Sequence, residues 1–478
     1  MLKHVKSKYI LEKIFENMRN KRKLNIVKYN KRIRNRLDIS KKNFEEYLIL
    51  KEFNTRYNLN IEDFDIKELN ISRKYIRNEG LKYLSKLDFK ELTILDLSEN
   101  EILINIEVLK RVNSQKLKEY LDYINFLKKE TLKQLEKLNL SHNQIFNIDI
   151  LAKVNFNELK ELDLSYNQIS NIDILEKVDF KQLEELNLGN NNISNINILE
   201  KVNFKQLKGL DLSGIKITNI KILEKVNFQE LNSLNLSRNY ISDINILENV
   251  NFKRLKKLDL SHNQINNINI LEKVDFKQLN KLSLSENNIS DINILAKVNF
   301  KELKELYFYK NEISDINILE RANFRQLNIL DLRQNNISDI NVLEKIKFEE
   351  LKELYLSFNE ISDINILEKV NFKELEQLDL NNNNISNIDI LEKVNFKEMK
   401  ELDFRYNKIS DINILEKVYF KNLNELFLSG NKISDIDVFR KVNFKELKGL
   451  YLTQNEINKE DNISLINYLK STIKEFYI

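Results

Sequence analysis

From residue 307 onward, aromatic and guanidinium side chains recur at two positions of a 24-residue period. One position reads Tyr307, Asp331, Tyr355, Asp379, Asp403, Phe427 and Tyr451; the other, two residues later, reads Tyr309, Arg333, Ser357, Asn381, Arg405, Ser429 and Thr453. Phe358 and Tyr406 add rings one residue further on. In the earlier copies, from Asp96 to Ser283, the first position is only Asp, Asn or Ser and the second only Ser or Gly. Folding does not require rings on a solvated face. Tyr, Phe and Arg are the side chains enriched at binding hot spots, where a rigid ring or planar cation covers much area. The chemistry they suggest is recognition. A second reading stays open, in which rings on neighbouring strands form ladders that add stability alone.

Bond-making chemistry finds little support. The three histidines are His4, His142 and His262. His142 and His262 hold the same repeat position five copies apart, about 24 Å along a sheet, too far to share a metal. The absence of cysteine excludes disulfides, thiolate metal sites and a cysteine nucleophile. Six scattered glycines form no phosphate-binding loop. The sequence therefore calls for no enzyme, cofactor, metal or small-molecule substrate.

The rings must be positioned by the repeat that carries them. The copy Leu159-Lys160-Glu161-Leu162-Asp163-Leu164-Ser165-Tyr166-Asn167-Gln168-Ile169 shows the pattern LxxLxLxxNxI, and the motif recurs with that period from Leu135 to Asn455. Within this series Ile215 alone replaces the asparagine. An earlier copy ends at Asn100, and a degenerate one (Leu69, Ile71) puts Lys74 in the asparagine position. Leu162 and Leu164 alternate with Glu161, Asp163 and Ser165, which predicts a short strand with one buried face. Ile174, Leu175 and Val178 fall at helical spacing and predict one or two outer turns. Phe89, Phe156 and every 24th residue from there to Phe444 predict an aromatic spine in the core. The asparagine amide is expected to bond turn backbone and join each coil to the next.

This pattern resembles the leucine-rich-repeat family over residues 66 to 457. The tail after the asparagine looks most like the internalin and phosphatase-regulator types. The resemblance implies an α/β solenoid of about 16 coils, with a parallel sheet on the concave face and short helices on the convex face. The solenoid would span residues 61–457, with an insertion at about 110–133, because Asn100 and Asn143 lie 43 residues apart. Ser464 to Phe476 reads as an amphipathic capping helix within residues 458–478. The implied function is non-enzymatic recognition of a protein partner on the concave face, through Tyr307, Tyr309, Arg333, Tyr355, Phe358, Arg405, Tyr406, Phe427 and Tyr451.

Residues 1–60 lie outside the repeat and read as two or three short helices. Ile10-Leu11-Glu12-Lys13-Ile14-Phe15-Glu16-Asn17-Met18, then Leu24-Asn25-Ile26 and Tyr29 to Ile33, resemble a diverged F-box. That resemblance implies a Skp-type adaptor docked on Ile14, Phe15, Met18, Leu24 and Ile26, and a substrate receptor of a ubiquitin ligase. The plainer alternative is a helical cap on the first coil. An internalin-like bacterial effector or adhesion protein binding a host protein is a further reading. Residues 1–36 hold 13 Lys and Arg against Glu12 and Glu16, a net +11, within a chain whose net charge is +4. Such a basic head also fits a tether to nucleic acid or an anionic membrane. No apolar run is long enough to span a membrane and no signal-peptide core is seen, so a cytoplasmic location is expected.

Restoring the one missing amide should help the array. Ile215→Asn is expected to raise stability by about 1 kcal/mol, read as a higher melting temperature; an unchanged or lower one contradicts a bonding role for the asparagine.

Overall fold

From Lys137 onward a three-residue strand, a tight turn and a single 3-10 turn make up the repeating coil, because its few apolar residues bury only when the next coil stacks on them. The computed structural model describes residues 30–36, 41–62, 64–104, 130–154, 156–442 and 444–478. The chain divides into two compact units, Met1–Leu207 and Lys208–Ile478.

In the first unit, strands Glu68–Asn70, Ile94–Asp96, Lys137–Asn139, Glu161–Asp163 and Glu185–Asn187 form a parallel sheet. Their middle leucines stand in register, from Leu69 opposite Leu95 to Leu162 opposite Leu186. Helix α1 (Lys31–Arg36) and helix α2 (Lys41–Tyr57) precede the sheet. Helix α2 packs on α3 (Arg77–Leu84): the Phe53 ring lies 5.9 Å and the Tyr57 ring 6.4 Å from Tyr83, and Arg56 pairs with Glu79 at 2.7 Å. Helix α2 thus packs against the helix of the first coil. The adaptor-binding candidates Ile14, Phe15, Met18, Leu24 and Ile26 lie outside the described residues, as does most of the expected insertion.

In the second unit, parallel strands recur every 24 residues from Gly209–Asp211 to Gly449–Tyr451, followed by Glu475–Tyr477. Leu210 stands opposite Leu234, and the register holds to Leu450 opposite Phe476. Behind the sheet lies the phenylalanine spine, with Phe324 and Phe348 both buried and 6.2 Å apart.

The asparagines form the expected ladder. Asn335 Nδ2 donates to the carbonyls of Phe308 in the preceding coil (2.9 Å) and of Leu332 and Arg333 in its own (3.1 and 3.2 Å). Its Oδ1 accepts the Ile313 N–H at 3.0 Å. The residue just before each asparagine sits in the left-handed region, as at Gln334 (φ 52°) and Tyr406 (φ 52°). Such a conformation costs of order 1 kcal/mol for a side-chain residue, and the amide bonds offset it. At the interrupted copy the side chain of Ile215 is fully buried, and the preceding Gly214 takes φ 63° without that cost.

The expected outer turns are single 3-10 turns, such as Asn197–Glu200 and Asn317–Glu320. Asn195 Oδ1 accepts the Asn197 N–H at 2.8 Å and starts the turn; the chain must then extend at once to return the next phenylalanine to the core. The terminal segment is helix α4 (Ile463–Thr472) followed by a strand, rather than helix through Phe476. Extension lets Phe476 pair with Leu450 and lays Tyr477 on Tyr451.

Asn335→Ala leaves the buried Ile313 N–H without a partner, at a cost of about 1–3 kcal/mol, and removes one of the two bonds to each of the Phe308 and Leu332 carbonyls, at about 1 kcal/mol each. Urea unfolding should show a loss of about 3 kcal/mol or more, and a smaller one for Asn455→Ala, where the amide is half-buried. Equal small losses would contradict the ladder's role.

Candidate functional site

Each repeat strand buries its middle leucine and turns its flanking residues to the open face of the sheet. In the early copies the first open-face residue has a structural task. Asp163 Oδ1 accepts the Ser165 N–H at 2.9 Å, and Asp96, Asp211 and Asp259 accept the equivalent N–H of Ser98, Ser213 and Ser261. A carboxylate two residues ahead of an N–H mimics a backbone turn and ends the strand. A ring cannot accept that bond. Asp331, Asp379 and Asp403 keep it, toward Arg333, Asn381 and Arg405. Positions 307, 355, 427 and 451 exchange the acceptor for Tyr or Phe and give up about 1 kcal/mol of local bonding each. The sequence reading missed this, although the recurring Asp-Leu-Ser of the early copies was its signal.

The rings form two clusters in the second unit. In the first, the Arg333 guanidinium grips Asp331 bidentately at 2.9 and 2.6 Å and lies 5.5 Å from the Tyr309 ring and 4.8 Å from the Tyr355 ring. The Tyr355 hydroxyl reaches Glu353 Oε2 at 2.8 Å and Gln377 Oε1 at 2.7 Å. Beside it, the Tyr307 hydroxyl donates to Glu305 at 2.9 Å, and Lys281 Nζ lies 4.9 Å from its ring. In the second cluster, Arg405 grips Asp403 and lies 4.6 Å from Phe427. Phe427 stacks on Tyr451 at 4.4 Å, and Tyr451 on Tyr477 at 5.1 Å. Tyr477 was not among the expected site residues, because the strand that presents it read as helix.

Between the clusters lies an open depression of about 430 Å³. Tyr309, Arg333, Tyr355 and Phe358 line it from one side in strand order, Glu401, Asp403 and Arg405 from the other, and Asp379 and Asn381 lie between. Phe358 is 53% exposed and Tyr406 48%. Tyr406 stands apart on the rim, its ring lying across Gly430, where an added Cβ would fall 2.4 Å from Tyr406 Cδ1. Five of the nine expected residues thus line one depression; Tyr307 adjoins it, Phe427 and Tyr451 belong to the second stack, and Tyr406 is peripheral.

Charge is distributed unevenly across this face. Arg333 and Arg405 are bound to their aspartates, which push both guanidinium values up. Asp379 is hydrogen-bonded to neutral donors, Ser357 Oγ at 2.7 Å and Asn381 N and Nδ2 at 3.0 and 2.6 Å. Burial pushes its value above the usual carboxylate range, with Asp403 adding to the rise. Glu401 is raised for the same first reason, helped by Asp403 and Glu425. Burial, then the bond to a neighbouring glutamate, pushes the hydroxyls of Tyr307, Tyr355 and Tyr451 up, so they stay protonated donors at neutral pH. Elsewhere His142 stacks on Tyr166 at 4.0 Å, and His262 Nε2 lies 2.6 Å from Glu286. Among the described residues no group of three or more His, Asp or Glu side chains is arranged to hold a metal, and no helix is long and apolar enough to cross a membrane.

The family model for paired Leucine Rich repeats matches residues 157–201, 349–393, 373–417 and 397–441, and the single-repeat model matches 254–268. These stretches of the chain are leucine-rich repeats. Among solved structures, this chain is similar to an internalin, inlF, from Listeria monocytogenes, at 25% identity and TM-score 0.52, over 73% of this chain and 88% of that one. It is also similar to a leucine-rich-repeat protein from Leptospira interrogans, at 20% identity and TM-score 0.59, over 90% and 98% of the two chains. A plant peptide hormone receptor, RGFR1, solved in complex with RGF2, aligns at 20% identity and TM-score 0.50, over 78% of this chain and 61% of the receptor. Among curated proteins none matches in sequence.

The raised carboxylates set a pH dependence. A carboxylate whose folded value lies above its unfolded one contributes fully to stability below the unfolded value, and that contribution is lost as pH rises through the folded value. Asp379 and Glu401 therefore lower stability progressively from about pH 4 upward. Asp379→Asn with Glu401→Gln should compare more favourably with the parent at about pH 7 than at about pH 4 in urea unfolding. An equal difference at both pH values would contradict the assignment.

Proposed function

We propose that this protein is a non-enzymatic scaffold that holds a protein partner on the open face of Lys208–Ile478. One observation carries the reading: four coils give up the turn-making acceptor and take a ring. Drift would spread such losses along the array, whereas they begin at Tyr307 and continue to Tyr451. The rings and guanidinia are also held before any partner arrives, by stacking and by bidentate pairing. Side chains already ordered lose little further entropy on binding. The fold supports a binding scaffold, and the plant receptor of the same fold was solved in complex with RGF2.

The F-box-like pattern of residues 10–33 adds a finer proposal: the N-terminal segment docks a Skp-type adaptor, and the open face presents the substrate of a ubiquitin ligase. It rests on that sequence pattern. Likeness to an internalin favours the alternative of a bacterial protein that binds a host protein. The acidic open face argues against nucleic acid there, which leaves the basic head of residues 1–36 as the part of the chain suited to a nucleic-acid or membrane tether.

Tyr307→Ala, Tyr309→Ala and Tyr355→Ala combined should cut partner capture about tenfold or more, while far-ultraviolet circular dichroism keeps its shape. Asp211→Asn with Asp259→Asn, on the early copies, should leave capture intact. Equal capture by all three proteins refutes the face. Separately, purified Skp-type adaptor should retain the full chain and lose it on Ile14→Asp with Phe15→Asp; no retention ends the ligase reading and leaves the scaffold standing.

A further inference from the structure

We propose that the segment bound on this face is basic, with a Lys or Arg side chain entering the depression beside Asp379 and Glu401 and its stem lying against Tyr355 and Phe358. The proposal rests on the recognition reading above and adds the chemistry of the occupant. It starts from a change in charge that coincides with the change in aromatics. Open-face positions 305, 353, 401 and 425 are Glu and 331, 379 and 403 are Asp, against Arg333 and Arg405 in these coils and Lys281 of the coil before, which pairs with Glu305 at 2.7 Å. In the preceding copies of the same unit, Asp211 and Asp259 are balanced by Lys257 and Lys281. The rings are thus recruited in the same coils where carboxylates come to outnumber cations.

Pairing sharpens the argument. Both guanidinia are engaged by their own aspartates, so neither is free to receive an anion. Asp379, between the two clusters, is hydrogen-bonded only to a serine and an asparagine. A half-buried carboxylate gains most when a cation arrives, because its burial cost has already been met. The neighbouring rings favour the same occupant. An ammonium or guanidinium is drawn to an aromatic face, and its aliphatic stem packs on apolar surface while the head meets the carboxylates. Phosphate, whether free or in nucleic acid, meets the surplus carboxylates as like charges.

Random peptides displayed on phage and selected on the immobilised full chain test the proposal. Selected sequences should be enriched severalfold in Arg and Lys over the input. A synthetic selected peptide should lose about tenfold in affinity between about 50 and 500 mM salt, and about tenfold on Asp379→Asn with Glu401→Gln, but little on Asp211→Asn with Asp259→Asn. Circular dichroism confirms that each variant is folded. Selected peptides without basic residues, whose binding is still lost on Tyr307→Ala with Tyr355→Ala, would overturn the basic occupant and leave the recognition face intact. Peptides that none of these variants affects, or a selection that never rises above background, would overturn both. Tighter binding of a uridine oligonucleotide than of any basic peptide, lost on Tyr307→Ala with Tyr355→Ala, would overturn the proposal in favour of nucleic acid.

Discussion

A buried asparagine amide closes each coil onto the one before it, and the left-handed residue just ahead of that amide is tenable because the amide is there. Asn335 shows the arrangement: one side chain reaches carbonyls in two coils and accepts an N–H from the earlier of them. The turn it fixes sets the three-residue strand that precedes it and the extended return that follows. Among the described residues no strand of the repeat sheets is longer than three residues, so the parallel pairing could not hold its register alone; the side-chain ladder and the phenylalanine spine hold it.

Because the ladder sits at the edge of the strand, the open face carries few folding duties. Its main one is the acceptor at the strand end, seen in Asp163 and Asp259. Coils that keep an aspartate there and add an arginine two residues on, at 331 and 403, use the carboxylate twice, once to end the strand and once to grip the guanidinium. The guanidinium then lies over the ring of the next coil, Tyr355 or Phe427. An aspartate–arginine coil followed by a ring coil therefore builds a layered surface that neither type would form alone.

The period, the buried leucines, the asparagine ladder and the spine were legible in the sequence because each is one residue type repeated at one position. The 3-10 character of the outer turn was not. Ile198, Leu199 and Val202 satisfy a spacing of three or of three to four residues equally well, and the choice fell to the short tail, which has room for one turn. The last strand was hidden because Tyr477 follows Tyr451 by 26 residues with a helix between them. Within the site, the rings were visible as departures from the period. The carboxylates were not, since acids occur throughout the array. Only the pairing distances separate Asp331 and Asp403, each bound to an arginine, from Asp379, which is not.

Stability and recognition draw on the same positions here. A ring at 307, 355, 427 or 451 forfeits a turn bond, and burying Asp379 and Glu401 disfavours their charged forms. An isolated domain with a few kcal/mol in hand would tolerate few such losses. A repeat array spreads them over neighbours whose ladders stay intact, since Asn311, Asn335, Asn359 and Asn431 keep their bonds in and around the ring-bearing coils. The regularity of the backbone is thus what permits irregularity on the face, and the coils that depart furthest from the repeat are those where a partner has most to bind.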